Sequence, residues 1–121
     1  MSLKMLELIK EYPLAAGAVK GWFVNKLIES LNDESLPEEF KQFVKDQGVD
    51  DAKMSTVFDE NPRSLFDVFD ENEVYIETVI DTDYNFWWKI GDTQSPIGYV
   101  RRTEADKAAI IEAFKLLNEK L

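Results

Sequence analysis

The sequence predicts an α+β fold, in which a helical N-terminal half precedes a three-stranded antiparallel meander and a closing C-terminal α-helix. Apolar residues recur every three or four positions through most of residues 1–72, which is typical of amphipathic helices. From residue 73 they alternate with polar residues, which is typical of strands, and the helical spacing returns after residue 103. No linker divides the 121 residues, so we expect one domain with a helical part (1–72), a meander (73–102) and a C-terminal helix (103–121).

Proline and capping residues divide the helical half into several short helices. Pro13 suits the first position of a helix, where its missing N–H costs nothing. The string SLPE at 35–38 has the pattern of a capping box. Asn61 is expected to cap a later helix whose first turn holds Pro62. The predicted helices therefore span 3–10, 13–31, 35–48, 51–58 and a stretch that begins at 61–62.

Two strands are predicted at 74–80 and 86–90, and their register can be derived. The apolar sets of both strands must face the same side, so paired residue numbers must share parity. A three-residue loop at 82–84 meets this condition. It pairs Ile76 with Ile90, Glu77 with Lys89, Thr78 with Trp88, Val79 with Trp87 and Ile80 with Phe86.

The end of the chain is predicted to supply a third strand and a long helix. The third strand is expected near 97–102, after the loop sequence GDTQSP. Thr103 is expected to cap the last helix, with Asp106 three residues later. The inner face of this helix is predicted to hold Ile110, Ala113, Phe114, Leu117 and Leu121.

Composition excludes several classes of chemistry. The chain contains no cysteine and no histidine, which rules out thiol nucleophiles, disulfides and catalytic sites that need an imidazole. The apolar stretch near the N-terminus is interrupted by Pro13 and Lys20 and is too short to span a bilayer, so a cytoplasmic location without membrane attachment is expected. No cofactor or metal is expected, because no motif for either is present.

The net charge of −10 is concentrated in the middle of the chain. Residues 36–83 hold fourteen acidic side chains against four basic ones, which accounts for the whole excess. Such a field attracts basic partners and repels nucleic acid.

A repeated pentapeptide, VFDEN, lies inside this acidic segment at 57–61 and 68–72. Each copy is interpreted as the end of a helix, with valine and phenylalanine as the last buried residues and the acids leading into solvent. The acids are then expected to act collectively as a field. The interpretation as two similar helix ends is preferred to a repeated ligand site.

Aromatic residues on the predicted sheet provide the second candidate feature. Tyr75, Val79 and Trp87 share the face opposite the presumed core. An uncovered face would make Trp87 an anchor for a partner, whereas a face covered by the last helix would make all three core residues. The usual burial of large aromatics favours the second alternative. The candidate partner-binding residues are Asp59, Glu60, Asp67, Asp70, Glu71, Glu73, Tyr75 and Trp87.

Two partial resemblances bear on function. The order helix, three strands, helix over 62–121 is similar to that of the double-stranded-RNA-binding domain, in which a basic pair near the last helix grips phosphates. Arg101 and Arg102 lie at that point, but TEADKAA departs from the lysine-rich pattern of that family, so direct nucleic-acid binding is not expected. The string SLPEEFKQFVKDQG resembles the leucine-proline helix motif of a superfamily that includes toxin-immunity proteins, and this resemblance implies an immunity-type role.

The sequence therefore predicts a small, acidic, non-enzymatic module that binds a basic macromolecular partner through segment 36–83. Inhibitor, immunity-type protein and adaptor are all compatible with this prediction.

One alternative is an acidic mimic of nucleic acid that blocks a DNA-binding enzyme, and it requires acids aligned like phosphates. A second alternative is a carboxylate-dependent enzyme or a metal-binding protein, which requires a concave pocket with perturbed carboxylates. DTDYN begins like a calcium-binding loop, but Phe86 occupies the position where that loop needs glycine. The sequence leaves the oligomeric state open.

Overall fold

The computed structural model describes residues 4–30, 37–39, 42 and 51–121, and these residues form the predicted α+β arrangement. A 3-10 turn, Pro62–Ser64, directly precedes the helix that begins at Leu65. The predicted capping box and most of the helix over 35–48 lie outside the described residues. The elements are α1 (Met5–Glu11), α2 (Pro13–Ser30), α3 (Asp51–Glu60), α4 (Leu65–Glu71), β1 (Ile76–Ile80), β2 (Phe86–Ile90), β3 (Thr93–Gln94) and α5 (Arg102–Lys120).

The register predicted for the first two strands is confirmed at all five pairs, from Ile76 opposite Ile90 to Ile80 opposite Phe86. The strands are joined by the predicted three-residue loop, which the Asp81 amide closes by donating to the Asn85 carbonyl at 3.0 Å. Tyr84, the last loop residue, has a φ of 63°. Three-residue hairpin loops commonly place their last residue in this left-handed region.

The third strand lies earlier than predicted. Strand β3 follows β2 after a two-residue turn, and Ile90 pairs with Thr93. Gly91 begins this turn with a φ of 58°, which glycine adopts without the penalty that a Cβ would bring. In the predicted range 97–102, Tyr99 forms an isolated bridge to Phe86. The prediction was wrong because the Gly-Asp pair was interpreted as part of a long loop.

Helix α5 supplies the centre of the core. It packs on one face of the sheet and also contacts α2 and α4. The side chains of Ile110, Ala113, Phe114 and Leu117 are fully buried, as predicted. Phe114 meets Phe69 of α4 edge to face, with ring centroids 5.4 Å apart. Leu121 follows the helix and is mostly exposed, so its predicted place in the core was wrong.

The predicted caps of two helices are not formed. Helix α5 begins at Arg102, so Thr103 lies within its first turn and Arg101 precedes it without a side-chain capping bond. Within residues 51–121, Asn61 likewise makes no side-chain capping bond, and its backbone leads into the 3-10 turn. The residue expected to complete the cap of α5, Asp106, is buried instead.

The two copies of VFDEN lie at helix ends, as predicted, since α3 ends at Glu60 and α4 ends at Glu71. They are not equivalent. Val68 is fully buried, whereas Val57 is largely exposed, which corrects the expectation that both valines are core residues. The second copy is also closed by Asn72, whose side-chain amide donates to the Val68 carbonyl at 2.8 Å.

Candidate partner-binding surface

The six acids that were predicted to bind a partner are all exposed. Asp59 and Glu60 form the last turn of α3, and Glu73 follows α4. Helix α4 itself carries Asp67, Asp70 and Glu71. Exposure alone does not make them equivalent, because two of the six have partners within the protein.

Asp59 has a structural role that the sequence did not reveal. Its Oδ1 accepts a hydrogen bond from the backbone amide of Met5 at 2.9 Å. Met5 is the first residue of α1, where the amides have no partner within the helix. Asp59, which belongs to α3, therefore caps the N-terminus of α1. Its partner lies 54 residues away in the chain, beyond the reach of a local capping pattern.

Glu73 connects the start of the sheet to the end of α5. Its carboxylate lies 3.5 Å from the ammonium of Lys120, which also donates to the Asn72 carbonyl at 2.7 Å. Both side chains are well exposed, so the ion pair contributes little to stability. Among the described residues, by contrast, no ion pair holds Asp67, Asp70 or Glu71, and their charges face solvent.

No helix within residues 4–30 and 51–121 covers the face of the sheet opposite α5. We call this surface the outer sheet face, formed by Tyr75, Glu77, Val79, Trp87 and Lys89. Tyr75 is 59% exposed and Val79 is 42% exposed. The expectation that α5 covers these residues is wrong, because α5 packs on the opposite face, where Trp88 and Ile90 are buried.

Trp87 is half-buried, and its indole contacts Asp81 and Gly98. The indole Nε1–H donates to Asp81 Oδ2 at 2.8 Å. The other carboxylate oxygen of Asp81 accepts the amides of Asp83 at 2.8 Å and Asn85 at 3.0 Å. The hydrogen bond from Trp87, together with these backbone amides, holds the pKa of Asp81 below its ordinary value of 3.8. Asp81 thus fixes the hairpin loop and the indole at neutral pH.

Gly98 packs closely against the indole of Trp87 and the side chain of Asn85. A Cβ atom at this position would lie 2.9 Å from Trp87 Nε1 and 2.9 Å from Asn85 Cβ. Only glycine allows the chain to approach the indole this closely. The loop after β3 therefore helps to orient Trp87 on the outer sheet face.

A groove of about 370 Å³ lies where β1 begins and β2 ends. Its apolar floor includes Val74, Ile90 and Leu116. Glu73, Tyr75, Glu77, Gly91 and Lys120 complete its lining. The groove brings together two of the predicted residues, Glu73 and Tyr75, and adds Glu77, which the sequence did not single out.

Asp106 is the polar residue that sequence reasoning most clearly misplaced. It is 3% exposed. Its Oδ2 accepts Arg63 Nη1 at 3.0 Å, and its Oδ1 accepts the Thr78 hydroxyl at 3.0 Å. These bonds connect α5 to the 3-10 turn and to β1. The partners lie 43 and 28 residues away, so no local pattern indicated them.

Neither a metal-ligand group nor a membrane-spanning helix is found among the described residues. Within 4–30 and 51–121, no three acidic side chains are grouped closely enough to hold a metal ion. In the same ranges, no helix has both the length and the apolar character needed to cross a bilayer. In residues 4–30, burial and the nearby charge of Glu11 raise the pKa of Tyr12.

Comparison of the chain with protein-family models, with curated proteins and with solved structures finds no match.

Proposed function

We propose that this protein is a non-enzymatic interaction module that binds a basic macromolecular partner, as an inhibitor, an immunity-type protein or an adaptor. The observation that carries the proposal is the outer sheet face, which no described helix covers and where Tyr75 and Val79 are exposed beside the carboxylates of Glu73 and Glu77. Interfaces commonly combine an apolar centre, rich in aromatic residues, with a polar rim.

Helix α4 adds three more exposed acids in the same segment of the chain. Asp67, Asp70 and Glu71 are exposed and are not neutralised within the described residues. Exposed charges of one sign steer an oppositely charged partner and raise its association rate. Tyr75 would supply contact area, since exposed tyrosines are frequent among the residues that dominate binding energy.

An acidic mimic of nucleic acid is supported less well. Such a protein needs rows of carboxylates, whereas the outer sheet face mixes two carboxylate neighbours with Tyr75, Val79 and Trp87. An enzyme is also supported less well. The lowered pKa of Asp81 follows from its hydrogen bonds within the hairpin, which leave its carboxylate engaged rather than poised for proton transfer.

The proposal is tested by capture of partners from a lysate of the native host, with elution by increasing salt and mass spectrometry of each fraction. The test variant carries Asp67→Asn, Asp70→Asn and Glu71→Gln. The control carries Glu7→Gln, Glu29→Gln and Glu119→Gln, which change the net charge equally on other helices. Asp59 is left intact because it supports α1.

We expect the native protein and the control to retain a basic protein that high salt releases. The test variant should associate about tenfold more slowly with the purified partner, because the steering charges are lost. Equal association rates for the two variants would refute the role of α4, and a captured partner without basic character would refute the proposal itself.

A further inference from the structure

The exposed edge of β1 is the feature that specifies how a partner can bind. In the part of the chain that the structure describes, the sheet order is β1-β2-β3, so β1 has a neighbouring strand on one side only. An edge strand presents unpaired backbone amides and carbonyls to which another extended chain can bond.

The hydrogen bonds of β2 show which groups of β1 face outward. Phe86 exchanges bonds of 2.7 and 2.8 Å with Tyr99, and the Trp88 carbonyl accepts the Ser95 amide at 2.9 Å. These two residues of β2 therefore point their backbone groups away from β1. Because the direction alternates along an antiparallel pair, Val79 and Glu77 bond to β2. The N–H and C=O groups of Ile76, Thr78 and Ile80 consequently face the open edge.

The edge lacks several of the features that usually protect such strands. Proteins block edges with proline, with charged side chains, above all lysine, with bulges or with a covering element. The sequence of β1, IETVI, contains no proline or lysine, its one charged residue is Glu77, and its five pairs with β2 follow without a bulge. Ile80, at the end of the strand, is 52% exposed. Among the described residues, no backbone group outside β2 bonds to Ile76, Thr78 or Ile80.

The charge around β1 identifies the occupant. Glu73 and Glu77 flank the start of the strand, and Asp81 and Asp83 follow its end. Of the basic side chains nearby, Lys120 is paired with Glu73, and Lys89 lies opposite Glu77 on β2. An incoming segment with lysine or arginine side chains complements these acids, whereas a second copy of β1 would bring the same acids to the same edge.

We propose that β1 binds an extended, basic segment of the partner protein as a fourth, antiparallel strand. This inference rests on the proposed function and adds the binding mode. Side chains of the segment that extend the outer sheet face lie beside Glu77. Side chains on the opposite face, where α5 packs, lie beside Ile76 and Ile80. The groove at the start of β1 accepts one basic side chain, whose methylenes contact the apolar floor and whose charge lies near Glu77 and the ring of Tyr75, while Lys120 remains paired with Glu73.

The register predicts which amides of the segment are needed. In an antiparallel pair, directly opposite residues share a face, so residues opposite Ile76, Thr78 and Ile80 point inward and exchange backbone bonds with them. In the probe peptide KVKVKVKV, the valines therefore bond to β1 while the lysines face Glu77. N-methylation of the valine amides should weaken binding at least about tenfold, since several hydrogen bonds are lost. N-methylation of the lysine amides should change it less than about twofold, because those amides face solvent.

Binding is measured by NMR titration of the whole protein, with hydrogen exchange of its amides as a second readout. We expect the Ile76, Thr78 and Ile80 amides to exchange more slowly when the peptide is bound. Ile80→Pro removes one outward N–H without breaking a bond to β2, so it should weaken binding, whereas Ile80→Val should not. Because the methylated peptides act on the native protein, a misfolded proline variant would leave the test intact.

The outcomes separate this inference from the proposed function. Equal binding of the two methylated peptides would overturn strand addition, while a basic partner captured from lysate would still support the proposed function. Equal binding of EVEVEVEV would overturn the role of charge in both. No binding of KVKVKVKV at millimolar concentration would overturn the edge inference. A dimer in sedimentation experiments that Ile80→Pro converts to monomer would show that a second copy occupies the edge, and would overturn it as well.

Discussion

Replacement of Asp106 tests whether its buried carboxylate joins the two layers of the fold. Asp106→Ala removes two acceptors at once, the one used by Arg63 and the one used by Thr78, each at 3.0 Å. A hydrogen bond to a charged group contributes about 1.5–3 kcal/mol, and loss of one partner of a buried ion pair costs about 3–5 kcal/mol.

The structure places the expected loss below the upper end of that range. The side chain of Arg63 is 58% exposed, so water can solvate the guanidinium after the carboxylate is gone. The Thr78 hydroxyl is only partly buried and can also find water. We therefore expect Asp106→Ala to lower the free energy of unfolding by about 2–4 kcal/mol.

Urea denaturation followed by tryptophan fluorescence provides the measurement, because Trp88 is buried in the same sheet. A double-mutant cycle with Arg63→Ala isolates the ion pair from the hydrogen bond to Thr78, and we expect a coupling of about 1–2 kcal/mol. A loss below about 0.5 kcal/mol for Asp106→Ala, or no coupling in the cycle, would refute this reasoning.

Three further predictions concern residues that support the surface. Asp59→Ala should destabilise the protein to urea by about 1 kcal/mol because α1 loses its cap, whereas Glu60→Ala should not; equal effects would contradict this role. Gly98→Ala should cost about 1–3 kcal/mol and change the fluorescence of Trp87, since its Cβ would overlap the indole; an unchanged midpoint and spectrum would contradict it. The lowered pKa of Asp81 stabilises the folded state above pH 3.8, and this contribution is lost as pH falls through the folded-state pKa. In melting experiments, Asp81→Asn should therefore flatten the acid-side fall in Tm, and parallel curves would contradict the prediction.

The hairpin was predictable from sequence because its determinants are local. The alternation of apolar residues requires paired residue numbers to share parity, and the short loop fixes how far apart they are. The partners of Ile76, Thr78 and Ile80 on β2 then follow. The helix ends at the two VFDEN copies were predictable for the same reason, since a proline and a turn follow them within a few residues.

The interactions that sequence reasoning missed are those between distant parts of the chain. Asp106 has the spacing of a capping-box residue, and only the packed structure reveals that Arg63 and Thr78 reach it. Asp59 was expected to face a partner, whereas its nearest partner is an amide of α1. Exposure of Tyr75 was missed because the sequence pattern shows which residues share a face, but not which face a helix covers.

The candidate site was predictable in its charge and not in its geometry. The sequence located the negative excess in segment 36–83, and the described acids there are exposed except for Asp81, which is partly buried. The predicted meander already made β1 an edge strand, but the sequence could not place β3, whose position depended on the turn at Gly91.

The acids beside β1 have consequences both for partner choice and for the protein alone. An unprotected edge with exposed Ile80 is a hazard, because a second copy can pair with it. With Thr78 opposite Thr78, two β1 strands would place Ile76 beside Ile80 and satisfy the outward backbone groups. Charge opposes this pairing, since each copy carries a net charge of −10 and acids at both ends of β1. In the proposed binding mode, the same carboxylates would attract a basic strand and repel an identical one. Such repulsion would keep β1 open without the lysine or proline that commonly protects an edge.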